Sequence, residues 1–314
     1  MKNTIFSCLI IFAFVTVYCK KNEDPIPTPL STPKWIKQVS GTSDVLLGVS
    51  FPAPSIGYIC GINGKILKTT NAGTAWSPLN TGISGFIRDL SFTSENMGTA
   101  VGESGLIIRT SNGNTWSPQT SGTTQHLVHT HFINENIGMV AGQGGVLLKT
   151  IDGGTNWNKM NSNTTVELAG LFVLNPNTAF TVGFNGTILK TSDGGINWTS
   201  QTSGMTTDLR SVYFTDSNTG WVVGIGGTVL KTINGGTTWQ KIADAASADL
   251  YSISFADANN GIMAGTRKIY VTTNGGTTWT DESPSFSGDV YATASNGFSN
   301  SWAVGQNGLV FKRN

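Results

Sequence analysis

The sequence predicts an all-β chain folded as a seven-bladed β-propeller, with four antiparallel strands in each blade. Three observations carry that expectation. Tryptophans recur at Trp35, Trp76, Trp116, Trp157, Trp198, Trp239 and Trp279, at spacings of 41, 40, 41, 41, 41 and 40 residues, a period that marks propeller blades or helical solenoids. Each unit breaks into short alternating segments separated by Gly, Asn, Asp and Thr, which excludes helices. The third observation lies at the ends: the final unit stops after a third strand, "LVFKR", while a spare strand, "WIKQVS", precedes the first unit. Setting "WIKQVS" beside the C-terminal strands completes a seventh blade and covers sheet edges that would otherwise recruit other chains.

The elements follow in order. Residues 1–18 read as an export signal, with Lys2 ahead of the apolar run "IFSCLIIFAFVTVY", which is short for a membrane span. Cys19 directly after that run resembles the lipobox cysteine of bacterial lipoproteins, although Tyr18 stands where a small residue is usual. The expectation is an exported, lipid-anchored envelope protein, in the outer membrane, with periplasmic or secreted protein as the alternative. Residues 19–34 supply the anchor cysteine and a Pro-rich, semi-rigid tether. Residues 35–314 form the propeller. Cys60 is the one cysteine left outside the signal and anchor, so there is no disulfide framework.

The fifth unit shows the strand order. "LRSVYF" is followed by "GWVVG", a glycine hairpin, "TVLKT", the turn "INGG" and Trp239. A glycine ends every second strand, from Gly61 and Gly102 through Gly224 to Gly305. Positive φ or a close approach between neighbouring blades is the expected reason.

The turns before the tryptophans read "TTNAGTAW", "TSNGNTW", "TIDGGTNW", "TSDGGINW", "TINGGTTW" and "TTNGGTTW". They resemble the Asp-box, or BNR repeat, of sialidases. Only Asp152 and Asp193 keep the acid, while Asn71, Asn112, Asn234 and Asn274 replace it. Asn and Asp both form Asx-turns, but only Asp can act as a catalytic carboxylate. The box is therefore read as a turn device.

Composition excludes some functions. The formal net charge is +1 and no stretch is strongly basic, so a nucleic-acid partner is not expected. A sialidase needs several pocket arginines, and the sequence offers only Arg88, Arg109, Arg210, Arg267 and Arg313. Glu167, Asp208, Asp249 and Asp289 precede four successive first strands and are read as strand-start caps, with a shared acidic rim as the alternative. His129 and His131 share one strand face near Asp89, but no second cluster completes a metal site. No catalytic residue, metal or cofactor is expected. A cation precedes the box threonine at Lys68, Arg109, Lys149, Lys190 and Lys231, and Lys312 matches in the last unit, while Val271 breaks the series. These are read as snorkelling side chains.

The second position of the first strand carries Leu47, Arg88, Val128, Ala169, Arg210, Tyr251 and Tyr291. Arg210, Tyr251 and Tyr291 should lie side by side near the axis, and Arg and Tyr are frequent at binding hot spots. Arg88, Arg210, Tyr251 and Tyr291 are the candidate binding residues. Trp221 and Trp302 are read as packing between blades.

"GWVVGIGGTVLKTINGGTTW", "LRSVYF" and the 41-residue unit together resemble the propeller family of photosystem II assembly and stability factors. The resemblance implies a non-catalytic protein that binds protein partners during membrane-complex assembly, partly through arginines on one face. Only Arg88 and Arg210 recur at a matching first-strand position here, and no photosynthetic role is carried over. The expected function is a monomeric binding or assembly scaffold, with a carbohydrate-binding or sialidase-like glycosidase propeller as the alternative.

Overall fold

The structure, a computed structural model, describes residues 34–243 and 245–314. The expected export signal, Cys19 and the tether up to residue 33 lie outside the described residues. Seven four-stranded antiparallel sheets form the propeller. Blade 1 comprises Leu46–Ser50, Gly57–Gly61, Ile66–Thr69 and Ser77–Leu79, from inside to outside. The inner strands of blades 2 to 6 are Ile87–Phe92, Leu127–Phe132, Leu168–Val173, Leu209–Phe214 and Leu250–Phe255. Blade 7 takes Val290–Ser295, Ser301–Gly305 and Val310–Arg313 from one end of the unit and Trp35–Gln38 from the other. Trp35 pairs with Arg313 and Gln38 with Val310, which is the closure the sequence predicts.

Each blade is held to the next by apolar side chains. In four blades the phenylalanine that ends the inner strand, and in blade 1 Phe51 just after it, meets the box tryptophan edge-on, as in Phe214–Trp239 at 5.9 Å and 83°. The same ring lies flat over the glycine that starts the second strand, and a Cβ on Gly220 would come within 2.6 Å of Phe214. Trp221 and Trp302 are fully buried and stack on Phe255 and Phe51 of the following blades. Both tryptophans are packing residues.

The second-strand glycines need a different explanation from the one expected. Gly224 has φ −167°, an extended value open to any residue. A Cβ there would meet the Asp208 carbonyl oxygen at 2.2 Å, inside its own blade. The same carbonyl accepts a hydrogen bond from the Ile225 N–H at 2.9 Å. The constraint is a close approach within the blade, neither a positive φ nor a neighbour.

The boxes are turns closed by two side-chain oxygens, the threonine Oγ1, which accepts a glycine N–H, and the Oδ1 of Asp or Asn. Thr150 donates to Asp152 Oδ1 at 2.8 Å, and that oxygen accepts the Asn156 N–H at 2.9 Å. Thr232, Asn234 and Thr238 repeat the arrangement at 3.0 and 2.9 Å. Asn serves as well as Asp because Oδ1 is common to both.

The lysine series is not a set of snorkelling side chains. Lys149, Lys190 and Lys231 each donate at 2.7 Å to a box carbonyl of the next blade, on Gly194, Gly235 and Gly275. These charge-assisted bonds clasp successive blades. Blade 6 carries Val271 instead, and blade 7 has no box to offer an acceptor. At that seam Glu282 of blade 6 pairs with Arg313 of blade 7 at 3.2 Å, with both side chains buried.

Candidate functional site

The seven inner strands surround a central cavity of about 650 Å³. Their channel-facing edges have no neighbouring strand to accept their N–H groups, so side chains of the preceding blade do so. Asp89 Oδ2 accepts from Thr130 N at 2.8 Å, Ser91 Oγ from Phe132 N at 3.0 Å, His131 Nδ1 from Val173 N at 2.8 Å, and Ser252 Oγ from Thr293 N at 3.0 Å. This use explains His131. Burial, and then the neighbouring His129, push the His131 pKa down to about 4, so the ring is a neutral acceptor at ordinary pH. Burial also raises the Asp89 pKa, against the lowering pull of His129, whose Nδ1 lies 3.4 Å away. Among the described residues no three His, Cys, Asp or Glu side chains are grouped to hold a metal.

One end of the channel is set by a repeated irregularity. In every blade the pairing of first and second strands shifts across the second inner-strand position, as between Leu209 and Ser211 or Leu250 and Ser252. Arg88, Arg210, Tyr251 and Tyr291 are therefore β-bulge residues, and bulges re-aim side chains. All four line the cavity. They sit at the end where inner strands begin and the second strand turns into the third. The boxes follow the third strands and lie at the opposite end. The motif that suggests sugar chemistry and the candidate binding residues are thus on different faces.

In blades 2, 6 and 7 the residue after the second-strand glycine holds the bulge side chain of its own blade. Glu103 lies 3.5 Å from Arg88, Thr266 bonds the Tyr251 hydroxyl at 3.0 Å, and Gln306 donates to the Tyr291 hydroxyl at 2.8 Å. Blade 5 has apolar Ile225 at that position, so Arg210 turns elsewhere. It pairs with Asp208 at 3.2 Å and stacks over Phe184 of blade 4 at 4.5 Å. Tyr251 and Tyr291 are neighbours, with rings 5.4 Å apart and tilted by 41°. Arg210 leans away from them, so the expected side-by-side row reduces to a tyrosine pair and an arginine one blade removed.

Sequence reasoning missed Glu103, Phe184, Thr266 and Gln306. The signal was present, since each directly follows a glycine that recurs in register. Two of the four rim acids act as hairpin clips, Asp208 accepting Asn185 N at 3.2 Å and Asp249 accepting Gly226 N at 2.8 Å. Glu167 lines the channel. Burial raises the Tyr291 pKa, and the nearby charge of Asp289 adds to the rise.

The sequence matches the family described as Photosynthesis system II assembly factor YCF48 over residues 74–202 and 162–246, more than half of the chain. No curated protein sequence matches it. The fold is similar to that of "YCF48 bound to D1 peptide", at TM-score 0.76 and 18% identity over 92% of this chain and 99% of that one. It is similar to YCF48 from Cyanidioschyzon merolae at TM-score 0.73 and 17% identity, covering 90% and 98% of the two chains. The WD40 propeller domain of Doa1 is similar at TM-score 0.74 and 11% identity, over 88% and 95%.

Proposed function

The chain belongs to the family of the photosynthesis system II assembly factor YCF48, and from that premise we propose that it is a non-catalytic scaffold that holds a segment of a protein partner at the channel mouth. The observation that carries the reading is the convergence of Arg88, Arg210, Tyr251 and Tyr291 on one open mouth, each re-aimed by a bulge. Arg and Tyr contribute strongly to protein interfaces. The relative solved with a D1 peptide supports a peptide-binding role for this fold. The rest of the proposal is an exported monomer, anchored to the cell envelope through Cys19, with the mouth available to its partner.

A photo-crosslinking residue placed at Tyr251 tests this in the native envelope. The expected result is one partner captured through one segment mapped by mass spectrometry, with no capture from the same residue placed at Ile196 on the box face. Incubation with a glycan panel is the counter-test. Sugar release, or equal capture from both faces, overturns the scaffold reading.

A further inference from the structure

The charges of the mouth are unevenly spent. Arg88 is answered by Glu103, Arg210 by Asp208, and Lys65 by Asp44 at 3.1 Å. On the opposite account stand Asp249 and Asp289, beside the tyrosines of blades 6 and 7, and Glu167 in the channel wall. Among the described residues none of these three carboxylates has a cation within ion-pair distance. Arg267 is exposed at the tip of the blade 6 hairpin; like Asp249 and Asp289 it stands outside the channel wall, and it pairs with neither carboxylate.

The tyrosines are presented as rings. Their hydroxyls are held by Thr266 and Gln306, which fixes both rings at the mouth and leaves them half-buried. Two tilted ring faces beside uncompensated carboxylates attract a cation through the ring quadrupole and through charge. An acidic segment would meet the same carboxylates at a cost.

Resting on the reading that a protein segment binds at this mouth, we propose that the Tyr251–Tyr291 side takes up a lysine or arginine side chain of that segment. The mouth thus selects a basic segment although its own most conspicuous charged residues are arginines. Those arginines are already neutralised and flank the tyrosine pair, Arg210 in blade 5 and Arg88 in blade 2.

The test uses the full chain carrying 3-fluorotyrosine and synthetic peptides matched except for one central residue, which is Lys, norleucine or Glu, in several flanking sequences. Binding is read by fluorine NMR titration. The Lys peptides should bind about tenfold more tightly than the norleucine peptides, and the Glu peptides most weakly. The preference should shrink as salt is raised. Asp289→Asn, Tyr291→Leu and Tyr251→Leu should each reduce it severalfold, whereas Tyr291→Phe, which keeps the ring face, should retain it. Thermal melts identify any variant that misfolds, and the remaining variants then decide. Equal binding of the three peptide types, a preference for Glu, or a Lys preference unchanged in the folded variants overturns the proposal. Capture of one partner from Tyr251 together with indifference to Lys defeats this inference and leaves the scaffold reading standing. Failure of the crosslinking defeats both.

Discussion

Arg313 of blade 7 and Glu282 of blade 6 form a buried ion pair, Nε to Oε2 at 3.2 Å, across the seam where Val271 replaces the clasping lysine, and Lys34 reaches the same carboxylate from the exposed side at 2.8 Å. The guanidinium also lies 3.8 Å from the centre of the Phe298 ring. Removing one partner strands the other charge in the interior, at a cost of about 3–5 kcal/mol. Glu282→Ala should lose that much stability in urea unfolding. Glu282→Leu combined with Arg313→Met should lose considerably less, because the one charge left without its partner, Lys34, is exposed to water.

The clasps predict an asymmetry around the ring. Lys190→Met removes a charge-assisted bond to the Gly235 carbonyl and should cost about 1.5–3 kcal/mol. Lys312 instead sits over the Trp302 ring at 5.8 Å, and Lys312→Met should cost about 0.5–1 kcal/mol. Val271→Lys should bring no gain, since blade 7 has no box carbonyl to receive it. Equilibrium unfolding of the three variants checks the order.

The boxes predict tolerance of one exchange and intolerance of another. Asn234→Asp keeps the Oδ1 acceptor and should leave stability nearly unchanged, whereas Asn234→Ala should cost about 1 kcal/mol. Where the acid is present it adds an acid limb. Hydrogen bonds from the Asn197 backbone, its side chain and Thr191 lower the Asp193 pKa to about 2 from 3.8. The folded state therefore holds the charged form more strongly. That contribution is complete above the unfolded value and fades as pH falls through about 2. Asp193→Asn should flatten the fall in melting temperature between pH 4 and pH 2.

His131 gives a separate window. Its folded pKa of about 4 lies below the ordinary 6.5, so the unfolded chain takes up a proton that the folded chain refuses. Stability should therefore be full above pH 6.5 and decline as pH falls toward 4. His131→Asn, which can still accept from Val173 N through Oδ1, should remove this decline. An NMR titration of His131 that gave an ordinary pKa would refute the assignment.

Much of the fold was legible because the sequence can be compared with itself. Seven tryptophans gave the blade count, and the surplus strand at Trp35 gave the closure. Asn in four boxes separated turn geometry from acid chemistry. The bulge at Arg88, Arg210, Tyr251 and Tyr291 was not legible, because one unpaired residue leaves the apolar pattern of the strand intact. The lysines were visible as a series, but their acceptors are backbone carbonyls, which every residue carries. Val271 looked like an interruption and is explained by the missing box of the next blade. The lean of Arg210 depended on Ile225 in its own blade and Phe184 in another, a relation visible only once the units are closed into a ring.

Closure through Trp35 and Arg313 has a kinetic side. Blades 1 to 6 assemble from hairpins whose partners are close in the chain, whereas blade 7 must bring together the two ends of the whole unit. Contacts between distant residues are reached slowly, because the entropy of loop closure is lost before the pairing energy is gained. Glu282, which holds Arg313, also takes Lys34 at 2.8 Å just ahead of the closing strand and so ties this last step to blade 6. Its contribution should therefore fall mainly on the rate of opening, and it acts as a latch on the lifetime of the folded ring.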